Sequence, residues 1–190
     1  MHKTPLYILV ITDPFSHMLW LEPITGKSAE EVYQHFVNGY LLEEGTPLFI
    51  LTDRGGEFQN VLLKEVMRLL KVRLQFTPSY HPRGNYTERV NRFIGESLRT
   101  MLNMPGARKQ DWWKFTKFVQ FAYRRMFIPG TNLSPYMVAR GRQPTLPSEI
   151  ERQQLGDALP SFDTLSAHVK LLNANMVLAA QLLRVARAKV

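Results

Sequence analysis

Cysteine is absent from the 190 residues, and that excludes disulfides, Cys-ligated zinc and thiol nucleophiles together. Long apolar runs are missing too: none approaches the roughly 20 residues a membrane span needs, so no membrane partner is expected. The opening Met1-His2-Lys3-Thr4-Pro5 has no signal-peptide pattern, which leads us to expect an intracellular protein. The sequons at Asn85 and Asn132 are then chance matches. The five His show no metal-ligand spacing. Acidic residues are the minority, 16 against 24 Lys and Arg, for a net charge of +8. A polyanionic partner follows from that balance. Against these shortages stands an ordinary globular composition, 45% hydrophobic and 21% charged, enough for one domain with a real core.

The first half alternates strands and helices. Leu6–Thr12 is a continuous apolar run, read as a strand. Asp13-Pro14 breaks it, and Met18–Ile24 reads as its antiparallel partner. Asp13 is expected to be a strand-end turn residue. Ser28-Ala29-Glu30-Glu31 has the pattern of a capping box. It opens a helix with Val32, Phe36 and Tyr40 at helical spacing, stopping near Gly45. Leu48–Thr52 predicts a strand, Val61–Leu70 a helix and Val72–Phe76 another strand. A helix is expected from Thr87 to about Met104.

The second half is helical and basic. From Arg89 to Arg142 eleven Lys or Arg face only Glu96 and Asp111. Asp111–Met126 carries an aromatic stripe of Trp112, Phe115, Phe118, Val119, Ala122 and Tyr123, spacing that predicts a buried helix face. In the tail, Leu165, Val169, Leu172, Met176, Ala179, Leu183, Ala186 and Val190 alternate steps of four and three, a heptad seam. Self-association, docking of a partner helix, or folding back on its own domain would each use it.

Two carboxylates are candidates for chemistry. Asp53 opens Asp53-Arg54-Gly55-Gly56-Glu57 at the end of a predicted strand; Glu88, separated from it by 34 residues, lies in the predicted first turn of a helix. Glu88 shares a helix face with Arg92, Gly95 and Arg99, while Val90, Ile94, Leu98 and Met101 line the opposite side. Oxygen ligands of this kind suit Mg²⁺, and paired metals activate an in-line attack on a phosphodiester. Taken singly, Asp53 as a turn residue and Glu88 as a helix-dipole partner would suffice.

Together with Phe121-Ala122-Tyr123, Gly130-Thr131-Asn132-Leu133-Ser134-Pro135 and Gly141-Arg142-Gln143-Pro144, the pair resembles the catalytic core of retroviral and retrotransposon integrases of Ty3/gypsy type. The resemblance runs from Leu6 to about Pro147. It implies an α/β fold of ribonuclease-H-like type, a mixed sheet flanked by helices with a C-terminal helical extension. Three segments follow: a core over 1–104, a basic helical extension over 105–150 and an amphipathic helix over 151–190. It implies Asp53 and Glu88 as catalytic metal ligands for Mg²⁺ or Mn²⁺, with Tyr80, Arg83, Asn91, Arg92 and Arg99 contacting DNA. Element ends and a target duplex would be the DNA partners, and the nucleus the compartment. Arg83 stands where the family usually has Gln, and the loop around it is one residue short. The family's first catalytic Asp belongs to a strand ahead of the one that opens this sequence. Metal-dependent strand transfer is therefore the ancestral activity, and none is expected of this chain alone. A domesticated or truncated module that binds DNA or protein without catalysis is the alternative, as is an internal fragment of a longer polyprotein.

Overall fold

The computed structural model describes residues 4–53, 61–76 and 84–146, with Val177 alone beyond them. Its packing divides the chain into two compact units, Met1–Ile11 with Trp20–Gln120, and Thr12–Leu19 with Phe121–Val190. The element order starts with two strands, β1 (Tyr7–Thr12) and β2 (Leu19–Ile24), and a helix, α1 (Ala29–Phe36). A π turn (Val37–Leu41) and α2 (Leu42–Glu44) continue it, followed by β3 (Phe49–Thr52), α3 (Val61–Leu69) and β4 (Arg73–Phe76). Then come α4 (Gly84–Leu102), a 3-10 segment (Lys109–Phe115), α5 (Thr116–Arg125) and α6 (Pro135–Arg140).

β1 and β2 pair as the expected antiparallel hairpin. Leu6 N–H donates to the Ile24 carbonyl at one end, and Asp13 N–H to the Met18 carbonyl at the other. Because backbone groups alternate along a strand, Leu19, Leu21 and Pro23 face away from β1. Pro23 thus sits where no N–H is asked of it. Leu21 N–H is taken by the Gln120 side chain at 2.8 Å, and the Leu19 carbonyl accepts from Arg124 Nε at 2.8 Å. Two side chains one helical turn apart thereby satisfy the outer edge of β2.

The second pair, β3 with β4, is parallel, with Phe49 opposite Arg73 and Thr52 opposite Phe76. Strand directions are mixed, as expected. Among the described residues the strands form two two-stranded sheets, accompanied by helices in the mixed α/β architecture expected. The sheets still share a core: Phe36, Met67 and Val72 are buried with Leu9 and Ile11 of β1, Ile50 of β3 and Leu74 of β4 packed against them.

α1 begins where Ser28 accepts from Glu31 N–H at 3.3 Å, but the capping box is only half formed. The Glu31 carboxylate turns back to the Thr25 amide and hydroxyl instead. Burial pushes that carboxyl up, yet the hydrogen bonds from Thr25 and Gly26 outweigh it and leave Glu31 below its ordinary range. The π turn brings Tyr40 onto Phe36, ring centroids 5.4 Å apart, and edge-on to Trp20 at 4.8 Å. It also lays Gly39 against Glu22, where any Cβ would collide with the carboxyl group. Glu22 is held in place by Lys117. Gly45, with φ of +84°, ends the run, a positive-φ conformation that glycine adopts without steric penalty.

The second unit is stitched by side chains. Asp13 accepts from the Phe15 and Ser16 amides and from Ser16 Oγ at 2.6 Å, the turn role expected of it. Ser134 caps α6 by accepting from Met137 N–H at 3.1 Å and donates to Gln143 Oε1 at 2.8 Å. Arg125 donates to the Pro144 carbonyl, and Ile128, Leu133 and Val138 pack together. The continuous helix expected over Asp111–Met126 is instead a 3-10 segment followed by α5. Of its stripe, Val119 is fully buried and Trp112, Phe115, Ala122 and Tyr123 are half-buried, while Phe118 is 65% exposed. The heptad seam over 165–190 lies outside the described residues apart from Val177, which is helical and exposed and does not belong to the seam.

Candidate metal and nucleic-acid site

Asp53 immediately follows β3, exposed at the strand's end. The strand is short and paired along its whole length with β4, so the position of Asp53 is set by backbone hydrogen bonds rather than by a loop. Its neighbour Thr52 has a buried hydroxyl with no hydrogen-bond partner among the described residues.

The second element is α4. Val90 and Ile94 are almost fully buried, with Leu98 and Met101 half-buried. The expected apolar stripe therefore anchors the helix. The opposite face, with Glu88, Asn91, Arg92, Gly95 and Arg99, is exposed. α4 starts at Gly84 rather than Thr87, and its first turn holds no acid. Glu88 consequently sits in the second turn, too far along for the helix dipole to account for it. This corrects its expected first-turn placement.

Asp53 and Asn91 line one cavity of about 410 Å³, together with Tyr7–Val10, Ile24, Lys27 and Val32. Residues three apart on a helix are surface neighbours, so Glu88 lies one turn before Asn91 on the same side of α4. Its carboxylate is occupied, however. Arg92 Nη2 donates to Glu88 Oε1 at 3.1 Å, with both side chains about two-thirds exposed. A pair that exposed is weak and easily exchanged. Among the described residues no cluster of three or more His, Cys, Asp or Glu is placed to hold a metal. The oxygen chemistry of Asp53 and Glu88 fits a single hard cation; it does not supply the ligands for two.

Of the expected DNA-contacting residues, Asn91, Arg92 and Arg99 are exposed on α4. Tyr80 and Arg83 lie outside the described residues. Several cations of the basic second half have internal duties that charge counting could not reveal. Lys117 pairs with Glu22, Arg124 and Arg125 donate to carbonyls, and Arg108 and Lys114 both pair with Asp111. Gln120 was given no role from the sequence, and its partner Leu21, 99 positions away, leaves no local signal.

No family model matches the chain. Its relatives include the retrovirus-related Pol polyprotein from transposon 412 of Drosophila melanogaster, 23% identical over 149 residues, covering 78% of this chain and 12% of that one. The human gypsy retrotransposon integrase-like protein 1 is 23% identical over 178 residues, covering 91% of this chain and 32% of the relative. The chain thus spans a third or less of the length of these curated relatives. Among solved structures, the HTLV-2 integrase catalytic core domain in complex with magnesium matches with a TM-score of 0.54 and 17% identity, covering 68% of this chain and 80% of that one. The simian T-cell lymphotropic virus intasome matches with a TM-score of 0.60 and 16% identity, covering 80% of this chain and 51% of that one. No helix among the described residues is long and apolar enough to cross a membrane. In sequence the chain is similar to gypsy-type retrotransposon integrases, and it shares the fold of retroviral integrase catalytic cores.

Proposed function

We propose that this chain is the integrase-core portion of a retrotransposon protein, binding duplex DNA and holding one divalent cation between Asp53 and Glu88. The observation that carries this reading is the cavity lined jointly by Asp53 of the β3 end and Asn91 of α4. It sets the Glu88-bearing side of α4 beside the Asp53 strand end. Magnesium in the HTLV-2 core supports the choice of ion. When bound, Mg²⁺ or Mn²⁺ would supply Lewis-acid polarisation of a phosphate or hydroxyl oxygen. The chain's own residues do the rest. Asp53 would hold its carboxylate at a fixed strand end, and Glu88 would exchange Arg92 for the ion. Arg92, released from its partner, and Arg99 would then meet phosphates along α4. Tyr80 and Arg83 are proposed to contact the same DNA, and the element ends and target duplex to be its natural forms. The nucleus would be its compartment.

No third carboxylate joins Asp53 and Glu88 among the described residues, so joining of DNA ends by this chain alone should be undetectable. The Glu88–Arg92 pair favours the non-catalytic, DNA-binding form of the proposal. The HTLV-2 core was solved in dimeric and trimeric forms, which supports a homo-oligomer, with residues 165–190 as the expected contact. Titration with Mn²⁺, followed by calorimetry, tests the metal. Weak binding lost in Asp53→Asn supports the reading, and unchanged binding in that variant removes it. For DNA, affinity for a random duplex should fall more than about tenfold between about 50 and 200 mM salt, because each phosphate contact releases counterions. An affinity independent of salt would overturn the DNA arm, and robust end joining by the chain alone would overturn the inactivity arm.

A further inference from the structure

We propose that Thr145 is a phosphorylation site for a protein kinase with an acidic substrate groove, and that Arg142 and Arg125 hold the phosphate once it is attached. The sequence singles this residue out. Thr145 has Arg142 three positions before it and Arg140 five before it. Of every Ser and Thr in the 190 residues, it alone has a Lys or Arg at the three-residue spacing. A groove lined with carboxylates takes up such a pair of guanidiniums by charge-assisted hydrogen bonds, and so fixes the hydroxyl that follows them.

The fold leaves the motif at the surface. α6 ends at Arg140, and Gly141, with φ of +71°, turns the chain out of the helix. Residues 143–146 have no regular secondary structure. Arg140, Arg142 and Thr145 are exposed, whereas Gly141 and Pro144 between them are buried. Gln143 is the remaining anchor, accepting from Ser134 Oγ at 2.8 Å. The segment is therefore held by the residues a kinase would not read. Neighbouring hydroxyls are spent inside the fold: Thr116 and Ser134 are buried, and Thr131 Oγ1 donates to the Ile128 carbonyl.

The surroundings suit a phosphate. Arg125 donates to the Pro144 carbonyl, part of the peptide bond that leads into Thr145, so its guanidinium stands only a few bonds from Thr145 Oγ1. Arg142 lies over the Tyr136 ring, 5.7 Å from the centroid. At an exposed site that contact is weaker than a charge-assisted hydrogen bond to phosphate, and would be exchanged for one. Between Asp111 and Glu149 the sequence has six Lys and Arg and no acid. The added charge, about −1.5 to −2 at pH 7, therefore meets no carboxylate of that stretch.

The transfer needs ATP as co-substrate. Thr145 Oγ1 attacks the γ-phosphorus, and the new O–P bond forms as the bond to the β–γ bridging oxygen breaks. ADP leaves, and the hydroxyl proton passes to the base of the kinase. Neither the Asp53–Glu88 pair nor DNA enters, so the inference can fail or hold apart from the proposed function.

The probe is the whole chain with ATP and a purified kinase that selects Arg five and three residues before its acceptor. Intact mass should rise by one phosphoryl group, which fragmentation places on Thr145. Thr145→Val, an exposed change, should abolish the gain, and Arg142→Ala should slow it by about tenfold or more. In the modified chain, phosphorus NMR should find the second ionisation of the phosphate below its usual value of about 6. It should move back towards that value in Arg125→Gln. Because Arg125 also braces the Pro144 carbonyl, fully phosphorylated Arg142→Ala repeats the readout at a surface residue. The proposal is overturned if the chain takes up no phosphate, if the phosphate falls on another residue, or if Arg142→Ala reacts at the parent's rate. A second ionisation at about 6 in the parent would overturn the holding by the two arginines.

Discussion

Replacing Gln120 by Leu tests whether one side chain closes the outer edge of β2. Gln120 is 8% exposed and Leu21 fully buried, and the Gln120 side-chain Oε1 accepts from the Leu21 amide at 2.8 Å. Leucine has nearly the same bulk but offers no acceptor. The stranded amide then costs about 1–3 kcal/mol, and the added apolar surface returns up to about 1 kcal/mol. A net loss of about 1–2 kcal/mol remains. For a chain of 190 residues, Tm should fall by about 2–8 °C at about 2–4 °C per kcal/mol. Circular dichroism on heating, with urea unfolding to check that the slope is unchanged, measures it. Arg68→Ala is the control: its pair with Glu65 is more than half exposed on both sides, so its melting curve should overlay the parent's. If Gln120→Leu melts within about 1 °C of the parent, water reaches the Leu21 amide and the sealed-edge reasoning is wrong.

Three further outcomes can be checked on the same instruments. Gly39→Ala drives a Cβ into the Glu22 carboxyl group and should cost about 1–3 kcal/mol by urea unfolding; a neutral result would mean the π turn is not packed against β2. Ser134→Ala removes the α6 cap and the partner of Gln143, for an expected loss of about 0.5–2 kcal/mol. Glu31 lies below its ordinary value of 4.5 in the fold, so its contribution is present above that value and is lost as pH falls through the folded pKa. Melting at pH 7 and pH 3 should therefore show a steeper acid loss in the parent than in Glu31→Gln, and parallel curves would refute the assignment.

Strand positions were legible to within one residue because each is an apolar run ended by turn residues, Asp13-Pro14 after β1 being the clearest. The stop at Gly45 was legible for the same kind of local reason. The start of α4 was read three residues late, since Gly84 and Asn85 look like turn punctuation, yet the buried Val90 and Ile94 hold the helix through them. The π turn escaped a reading based on a 3.6-residue period, because it adds a residue without breaking the helix. What lay beyond reach was non-local. No pattern near Gln120 announces Leu21. At the candidate site both carboxylates were visible as types and positions. The spacing of Glu88 and Arg92 was visible too, but it was read as metal beside phosphate; in the structure the two close on each other first.

The π turn at Val37–Leu41 has a genetic consequence. A helix advances about 100° per residue, and an i-to-i+5 turn is an α-helix carrying one residue more than it needs. Loss of a single codon there would leave a continuous α-helix, so the reading frame of hydrogen bonds survives. The face presented by the last turn would swing by that one-residue angle, carrying Gly39 away from Glu22 and Tyr40 away from Trp20. Natural variants of this segment should therefore tolerate substitutions outside Gly39 more readily than a change in length.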